Sequence, residues 1–299
     1  MHPGSIPGEA SKFFPFPQAV AAVPDILARG RCCVRPGSGN LAFSAPIPDK
    51  PPTSSVAERP PTGKRRAERG NTPSKEETAS MLDYAQARRL MVDCQLRTFD
   101  VNSIAVLDAF EDVARERFVP PGREDFAYID QTLSLDGGGG DRRAMPAPML
   151  LARMIQALDL HAGDRVLDVG TGYGYATAIL RQLGAEVVAT ESSAVLAAGA
   201  RERLAGLSNI AVVEAPLEAG APAQAPYDGI LVNGRVEMRP QTLLEQLKEG
   251  GRLVCVLGPA RAAKATLFVR TGDAFGARPL FDATLPALGA FATEGGFAF

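Results

Sequence analysis

Between Arg165 and Glu191 the chain reads RVLDVGTGYGYATAILRQLGAEVVATE, and few folds accommodate that string. A short apolar run (Val166, Leu167, Val169) enters a turn with glycines at 170, 172 and 174. A helical apolar pattern follows, then a second strand-like run from Val187 to Thr190 that ends in Glu191. This is one strand–helix–strand unit with a glycine-rich first turn and an acid about twenty residues further on, the general signature of a site for an adenosine. Glycine is needed because the backbone must turn tightly and admit a ligand with no Cβ in the way. The two carboxylate oxygens of Glu191 can accept both hydroxyls of a ribose.

The spacing separates the cofactors such a turn could hold. A dinucleotide site is spaced G-x-G-x-x-G, so that amides at a helix N-terminus face a pyrophosphate. Here the third glycine comes one residue early, and Asp168 stands two residues before the first. An acid beside the turn repels a pyrophosphate but suits a ligand carrying an ammonium and a sulfonium. The pattern, taken with Glu191 and the downstream strands, resembles the first motif of class I S-adenosylmethionine-dependent methyltransferases; the alternative is a glycine-rich turn of some other α/β protein. The resemblance implies S-adenosyl-L-methionine as cofactor, with Asp168, Gly170, Thr171, Gly172, Gly174, Glu191 and Ser192 as candidate holding residues. Leu217, after the third strand, and Asn233, after the fourth, would line the mouth of the same pocket; turn chemistry alone would also explain Asn233-Gly234.

The rest of the chain is uneven. Residues 1–80 hold 13 of the 24 prolines and show no sustained period, so this segment is expected to bury too little apolar surface to offset its chain entropy and to be disordered. The run FFPFP at 13–17 is too short and broken for a signal peptide or a membrane span. From Met81 the pattern turns helical at once, which makes Met81 a candidate natural start and residues 1–80 an extension or a tail. Residues 1–80 carry 11 Lys+Arg against 7 Asp+Glu, leaving 21 against 27 in residues 81–299, a net of −6. An acidic folded region lacks the footprint of a nucleic-acid binder. The four cysteines (Cys32, Cys33, Cys94, Cys255) have neither metal-ligand spacing nor a disulfide framework, and His2 and His161 are the only histidines. No metal site is expected, and the chain reads as a reduced, cytoplasmic protein, with a monomer as the expected state.

From Met81 onward, helices are expected over 82–97 and 102–115, the second capped at Asn102 or Ser103, then a loop-rich stretch to about Arg143, then a helix over 148–158 with Pro148 in its first turn. Strands at 165–169, 186–190, 210–213, 228–232 and 252–257 alternate with helices at 174–183, 193–206 and 239–248, and residues 265–271 and 277–284 close as an antiparallel pair at the edge. The strands are continuous apolar runs, as in strands covered on both faces. The predicted fold is α/β: a doubly wound, mostly parallel, seven-stranded Rossmann-like sheet with N-terminal helices, its ligand lying over the strands' carboxyl ends where the order reverses.

Several segments together resemble the protein-L-isoaspartate O-methyltransferase family: MVDCQLR (91–97), ERFVP (116–120), AYID (127–130), PMLLARM (148–154), GDRVLDVGTGYG (163–174), YDGILV (227–232) and EQLKEGGRLV (245–254). The likeness runs through 81–299 in the family's order. It implies methylation of isoaspartyl carboxylates in damaged proteins or peptides; the charge balance and the lack of a long apolar run in the sequence add the expectation of no nucleic-acid or membrane partner. In that family a Gln-Thr-Ile-Ser segment holds the acceptor carboxylate just before the proline that opens the helix. This chain has Arg143, Ala144, Met145 and Pro146 there. A Gln131-Thr132-Leu133-Ser134 string exists but follows AYID directly, and it reads as a decoy unless the glycine-rich run at 137–140 carries it back. Candidate acceptor-site residues are therefore Arg142 and Arg143, as carboxylate clamps or as solvated loop charges, with Thr132 and Ser134. Two other readings stay open: the same cofactor with a different acceptor, and a cofactor-binding module without turnover.

Overall fold

The computed structural model describes residues 83–135 and 142–292; the readings made for residues 1–80 and for the glycine run at 137–140 lie outside them. Helix α1, Tyr84–Met91, starts where the Asp83 carboxylate accepts the amides of Ala85 and Gln86. The expected helix to residue 97 is not a single α-helix. It widens into a π turn over Val92–Leu96, tightens to a 3-10 turn over Arg97–Phe99, and ends at Asp100 in a left-handed conformation. Helix α2, Ile104–Asp112, is capped by Ser103, whose Oγ accepts the Val106 amide. It stops three residues before the expected end, and Arg115–Phe118 form a separate 3-10 turn.

The stretch read as loop contains a short antiparallel pair, β1 (Leu133–Leu135) and β2 (Arg143–Met145), with Ser134 opposite Ala144 and Leu135 opposite Arg143. Helix α3, Pro148–Leu158, has Pro148 in its first turn as expected. Then follow β3 (Arg165–Val169), α4 (Tyr175–Gln182), β4 (Glu186–Glu191), α5 (Ala194–Arg203), β5 (Ile210–Glu214), β6 (Tyr227–Val236), α6 (Gln241–Leu244), β7 (Leu247–Leu257), β8 (Lys264–Thr271) and β9 (Ala274–Asp282). The last seven strands form one sheet in the order β5-β4-β3-β6-β7-β8-β9, parallel from β5 to β7 and antiparallel on both sides of β8. This is the predicted doubly wound architecture, with the strand order reversing between β3 and β6.

The period of two along each strand divides the core between the faces. Val166, Leu231 and Val254 join α2, α3, α4 and α5 on one face, and Leu167, Ile230 and Leu253 join α6 on the other. Each such fully buried aliphatic side chain contributes about 1.5–3 kcal/mol. Cys255 belongs to the second cluster as a small core residue, its thiol pushed up to about 12 by burial. His161 is exposed in the loop before β3, where its amide donates to Asp164.

The helix expected over 239–248 is reduced to the four residues of α6. Leu247 instead pairs with Tyr227 and extends β7 backward across an irregularity in register. The Gln246 side chain fixes this outcome by donating to the carbonyls of Ala219 and Thr242 and accepting the Ala221 amide. Helical periodicity there loses to strand pairing and a side-chain tie across the chain.

Candidate active site

The turn after β3 is bent by three left-handed glycines, Gly170 (φ 73°), Gly172 (φ 60°) and Gly174 (φ 95°). Side chains rarely adopt those angles. A Cβ on Gly174 would also lie 2.7 Å from Leu204 Cδ1, so that position is closed on both counts. The turn is moored to the neighbouring strand, because the amides of Gly170 and Thr171 both donate to the Thr190 carbonyl, at 2.9 and 3.2 Å.

Asp168, next to last in β3, is wholly buried. Its carboxylate accepts the Thr177 hydroxyl at 2.5 Å and the Asn233 side-chain amide, and the Thr171 hydroxyl lies 2.6 Å from that of Thr177. Burial pushes the Asp168 carboxyl up to about 6, the Glu191 charge adds to the rise, and the bonds from Thr177, Thr171 and Asn233 hold it down. The other atom of the Asn233 amide, Oδ1, is buried without a hydrogen-bond partner among the described residues. Asn233 lines a small cavity with Leu135, Met145, Pro146, Thr171 and Tyr173. An unpaired carbonyl-type acceptor beside a buried carboxylate suits a cationic group.

Glu191 ends β4 with no exposed surface, and each carboxylate oxygen has partners. Oε2 accepts the Gly172 amide at 3.0 Å. Oε1 accepts the amides of Ser192 at 2.9 Å and Ser193 at 3.2 Å, and the Arg143 Nε at 3.0 Å. Arg143 comes from β2, is only 2% exposed, and also donates to Ser192 Oγ at 2.6 Å. Beyond the ends of β4 and β5 opens a cleft of about 450 Å³ lined by Ser192, Glu214, Ala215, Pro216, Leu217 and Glu218. Its size lies within the range of small-molecule sites. The residues present fit a nucleoside with a cationic amino-acid tail: a glycine turn, a strand-end acid, a second buried acid and an adjoining cleft.

The structure thus brings Asp168, Gly170, Thr171, Gly172, Gly174, Glu191, Ser192, Leu217 and Asn233 to one end of the sheet. Arg143 joins them, as neither a loop charge in solvent nor a free clamp, because its guanidinium lies on the protein's own Glu191. Arg142 and Ser134 are exposed and Thr132 is half-buried. Strand alternation explains Ser134: Leu133 and Leu135 turn inward on either side of it, and Leu135 packs where a Cβ on Gly172 would come within 2.5 Å.

Two features escaped the sequence reading. Glu214 and Glu218 line the cleft around Ala215–Leu217, where no acid was anticipated, although an acid at the end of β5 paired with Glu191 at the end of β4 was a visible signal. Arg115 is fully buried, donating from Nε to the Ala127 carbonyl at 2.7 Å and from its second terminal nitrogen to the Pro146 carbonyl at 2.8 Å. Its guanidinium sits 4.8 Å from the centre of the Tyr175 ring. It ties the 127–130 segment to the residues that precede α3, and nothing in local periodicity marks it.

Residues 86–278 match the family model described as protein-L-isoaspartate(D-aspartate) O-methyltransferase. The protein-L-isoaspartate O-methyltransferase of Methylorubrum extorquens (strain PA1) is 41% identical over 198 residues, covering 66% of this chain and 85% of the relative. The enzyme of that name from Methanoculleus marisnigri (strain ATCC 35101 / DSM 1498 / JR1) is 36% identical over 211 residues, covering 70% of this chain and 94% of its own length. Among solved structures, one titled protein-L-isoaspartate O-methyltransferase superposes with a TM-score of 0.60 at 25% identity, over 68% of this chain and 65% of that one. A Plasmodium falciparum structure, described as a putative protein-L-isoaspartate O-methyltransferase in complex with S-adenosyl-L-homocysteine, gives a TM-score of 0.56 at 17% identity over 69% of this chain and 98% of its own, and so bears on the fold alone. By the match over 86–278 and these identities, the chain belongs to the protein-L-isoaspartate O-methyltransferase family.

Proposed function

We propose that this protein is an S-adenosyl-L-methionine-dependent methyltransferase that esterifies the abnormal carboxylate of isoaspartyl residues in damaged proteins. The observation that carries the reading is the family match over residues 86–278, which takes in the donor turn and the β1–β2 pair beside it. When bound, S-adenosyl-L-methionine supplies a methyl group on a sulfonium, already activated toward an oxygen lone pair.

The protein's part is then placement. Glu191 takes the ribose, Asp168 and Asn233 face the cationic tail, and the cleft from Ser192 to Glu218 receives the base. An isoaspartyl carboxylate is ionised at neutral pH, so no side chain need remove a proton. Alignment and dryness supply the acceleration, and the buried residues Leu135, Ala144, Met145 and Pro146 form an apolar cover against the turn. Among the described residues no group of three or more His, Cys, Asp or Glu could hold a metal ion, and no helix is long and apolar enough to cross a membrane. We take residues 81–299 as the methyltransferase domain, acting in the cytoplasm as a monomer without nucleic acid.

A second reading keeps the donor site and changes the acceptor. It is favoured by the apolar, buried Ala144 and Pro146, which stand where the family has hydroxyls. Methyl transfer from labelled S-adenosyl-L-methionine to an isoaspartyl peptide, with the matched aspartyl peptide as control, separates the two. Transfer confined to the isoaspartyl peptide is the expected outcome. No transfer by protein that binds the cofactor points to the second reading.

A further inference from the structure

Glu191 is the ribose acid in the reading above, yet it is wholly buried and four hydrogen bonds already converge on it. Three come from backbone amides, those of Gly172, Ser192 and Ser193, which the turn and the start of α5 hold in place. The fourth comes from the Arg143 side chain, the only one of the four partners that can leave by rotating about its own bonds. Arg143 belongs to β2, on the acceptor side, so its ion pair with Glu191 joins the two halves of the site. A ribose hydroxyl bound to Glu191 Oε1 would compete with the guanidinium for that oxygen.

We propose that Arg143 exchanges carboxylates during binding. It rests on Glu191 and Ser192 until ribose hydroxyls take its place on Glu191, and the guanidinium then turns to bind the acceptor's carboxylate. A guanidinium suits both positions because its paired N–H groups match any carboxylate. It also supplies from Arg143 the acceptor contacts that Ala144 and Pro146 cannot make. The exchange sets an order, cofactor first and acceptor second, because the acceptor's clamp is engaged with Glu191 until the ribose arrives. This inference rests on the ribose role of Glu191 and on a carboxylate acceptor.

The test is calorimetric binding of S-adenosylhomocysteine and of an isoaspartyl peptide to the full chain, to Arg143→Ala and to Arg143→Gln, with circular dichroism to confirm that each variant is folded. With its competitor removed, Glu191 is expected to bind S-adenosylhomocysteine about tenfold more tightly in both variants, the scale of one charged hydrogen bond returned to the ligand. In the unsubstituted protein the peptide is expected to bind at least about tenfold more tightly with S-adenosylhomocysteine present, and in the variants that gain disappears. Equal or weaker S-adenosylhomocysteine binding in both variants overturns the exchange and makes Arg143 a fixed positioning residue. Peptide affinity indifferent to S-adenosylhomocysteine in the unsubstituted protein overturns it as well. Glu191→Gln distinguishes a deeper failure: if it binds S-adenosylhomocysteine as tightly as the unsubstituted protein, the ribose reading is wrong and the exchange falls with it. A peptide that binds no form of the protein removes the acceptor half, and the S-adenosylhomocysteine arm still decides the competition for Glu191.

Discussion

The turn that we propose holds the donor and the β1–β2 pair that we propose faces the acceptor are joined by the Arg143–Glu191 ion pair, but they are built in opposite ways. The donor side is backbone: three left-handed glycines, amides moored on the Thr190 carbonyl, and two acids at adjacent strand ends. The acceptor side is side chains on two three-residue strands, held to the rest of the molecule by reach. Arg115 fixes its base through the Pro146 carbonyl, Leu135 covers Gly172, and Arg143 spans to Glu191 and Ser192. A site that recognises an invariant cofactor can be written into local chain geometry. A site for a variable acceptor is assembled from residues far apart in sequence, so it can change while the donor half stays fixed.

The largest expected effect tests how the acceptor side is anchored. Arg115→Met leaves the buried carbonyls of Ala127 and Pro146 without their donor. At about 1–3 kcal/mol for each, a loss of about 4 kcal/mol is expected in urea unfolding. A loss below about 1 kcal/mol would show that the β1–β2 pair does not hang on this arginine. On the donor side, Gly174→Val places a branched side chain at φ 95° against Leu204 and is expected to cost about 2–3 kcal/mol. Gly122→Ala is its control, at φ 77° with nothing within 4 Å of the new Cβ, and should cost only the backbone strain. Equal losses would mean that Leu204 yields freely.

Glu191→Ala is expected to weaken S-adenosylhomocysteine binding by about 1–3 kcal/mol, and unchanged calorimetric affinity would remove this acid from the ribose. Asp168 gives the donor side a pH dependence. A cationic ligand prefers the ionised carboxylate, so cofactor affinity is expected to fall as pH drops below about 6. The stability contribution has the opposite sense. The folded chain keeps this proton to a higher pH than the unfolded chain, whose value is near 3.8, so the contribution is fullest below that value and is lost as pH rises through about 6. Asp168→Asn should flatten both profiles; if either keeps its slope between pH 4 and 6, another group is responsible. The smallest effect belongs to Ser134→Ala, on the exposed face of β1. It should change stability by less than about 0.5 kcal/mol and leave the acceptor KM unaltered. A raised KM would bring the 131–134 string into the acceptor site.

Much of the sheet was legible because buried parallel strands are short apolar runs and glycine punctuates the turns between them. The runs 165–169 and 148–158 coincide with β3 and α3, and the closing pair after 264 is antiparallel at the edge as expected. The helix over 239–248 was misread because apolar spacing there serves two structures, and the pairing of Leu247 with Tyr227 together with the Gln246 tie decides between them. The β1–β2 pair was invisible because three-residue strands carry too few residues to show a period.

By itself the sequence determined the doubly wound sheet and set glycines and acids at strand ends as candidates for the cofactor site. These follow from periodicity, from positive φ angles that require glycine, and from acids placed at strand ends. It also brought Arg143 under suspicion as a carboxylate clamp. Only the tertiary structure decided which carboxylate that is, because the pairing of Leu135 with Arg143 sets the face of β2 from which the guanidinium reaches Glu191, 48 residues away. Local patterns record what neighbouring residues do to one another. The partner of a long charged side chain is fixed only when the whole chain has closed around it.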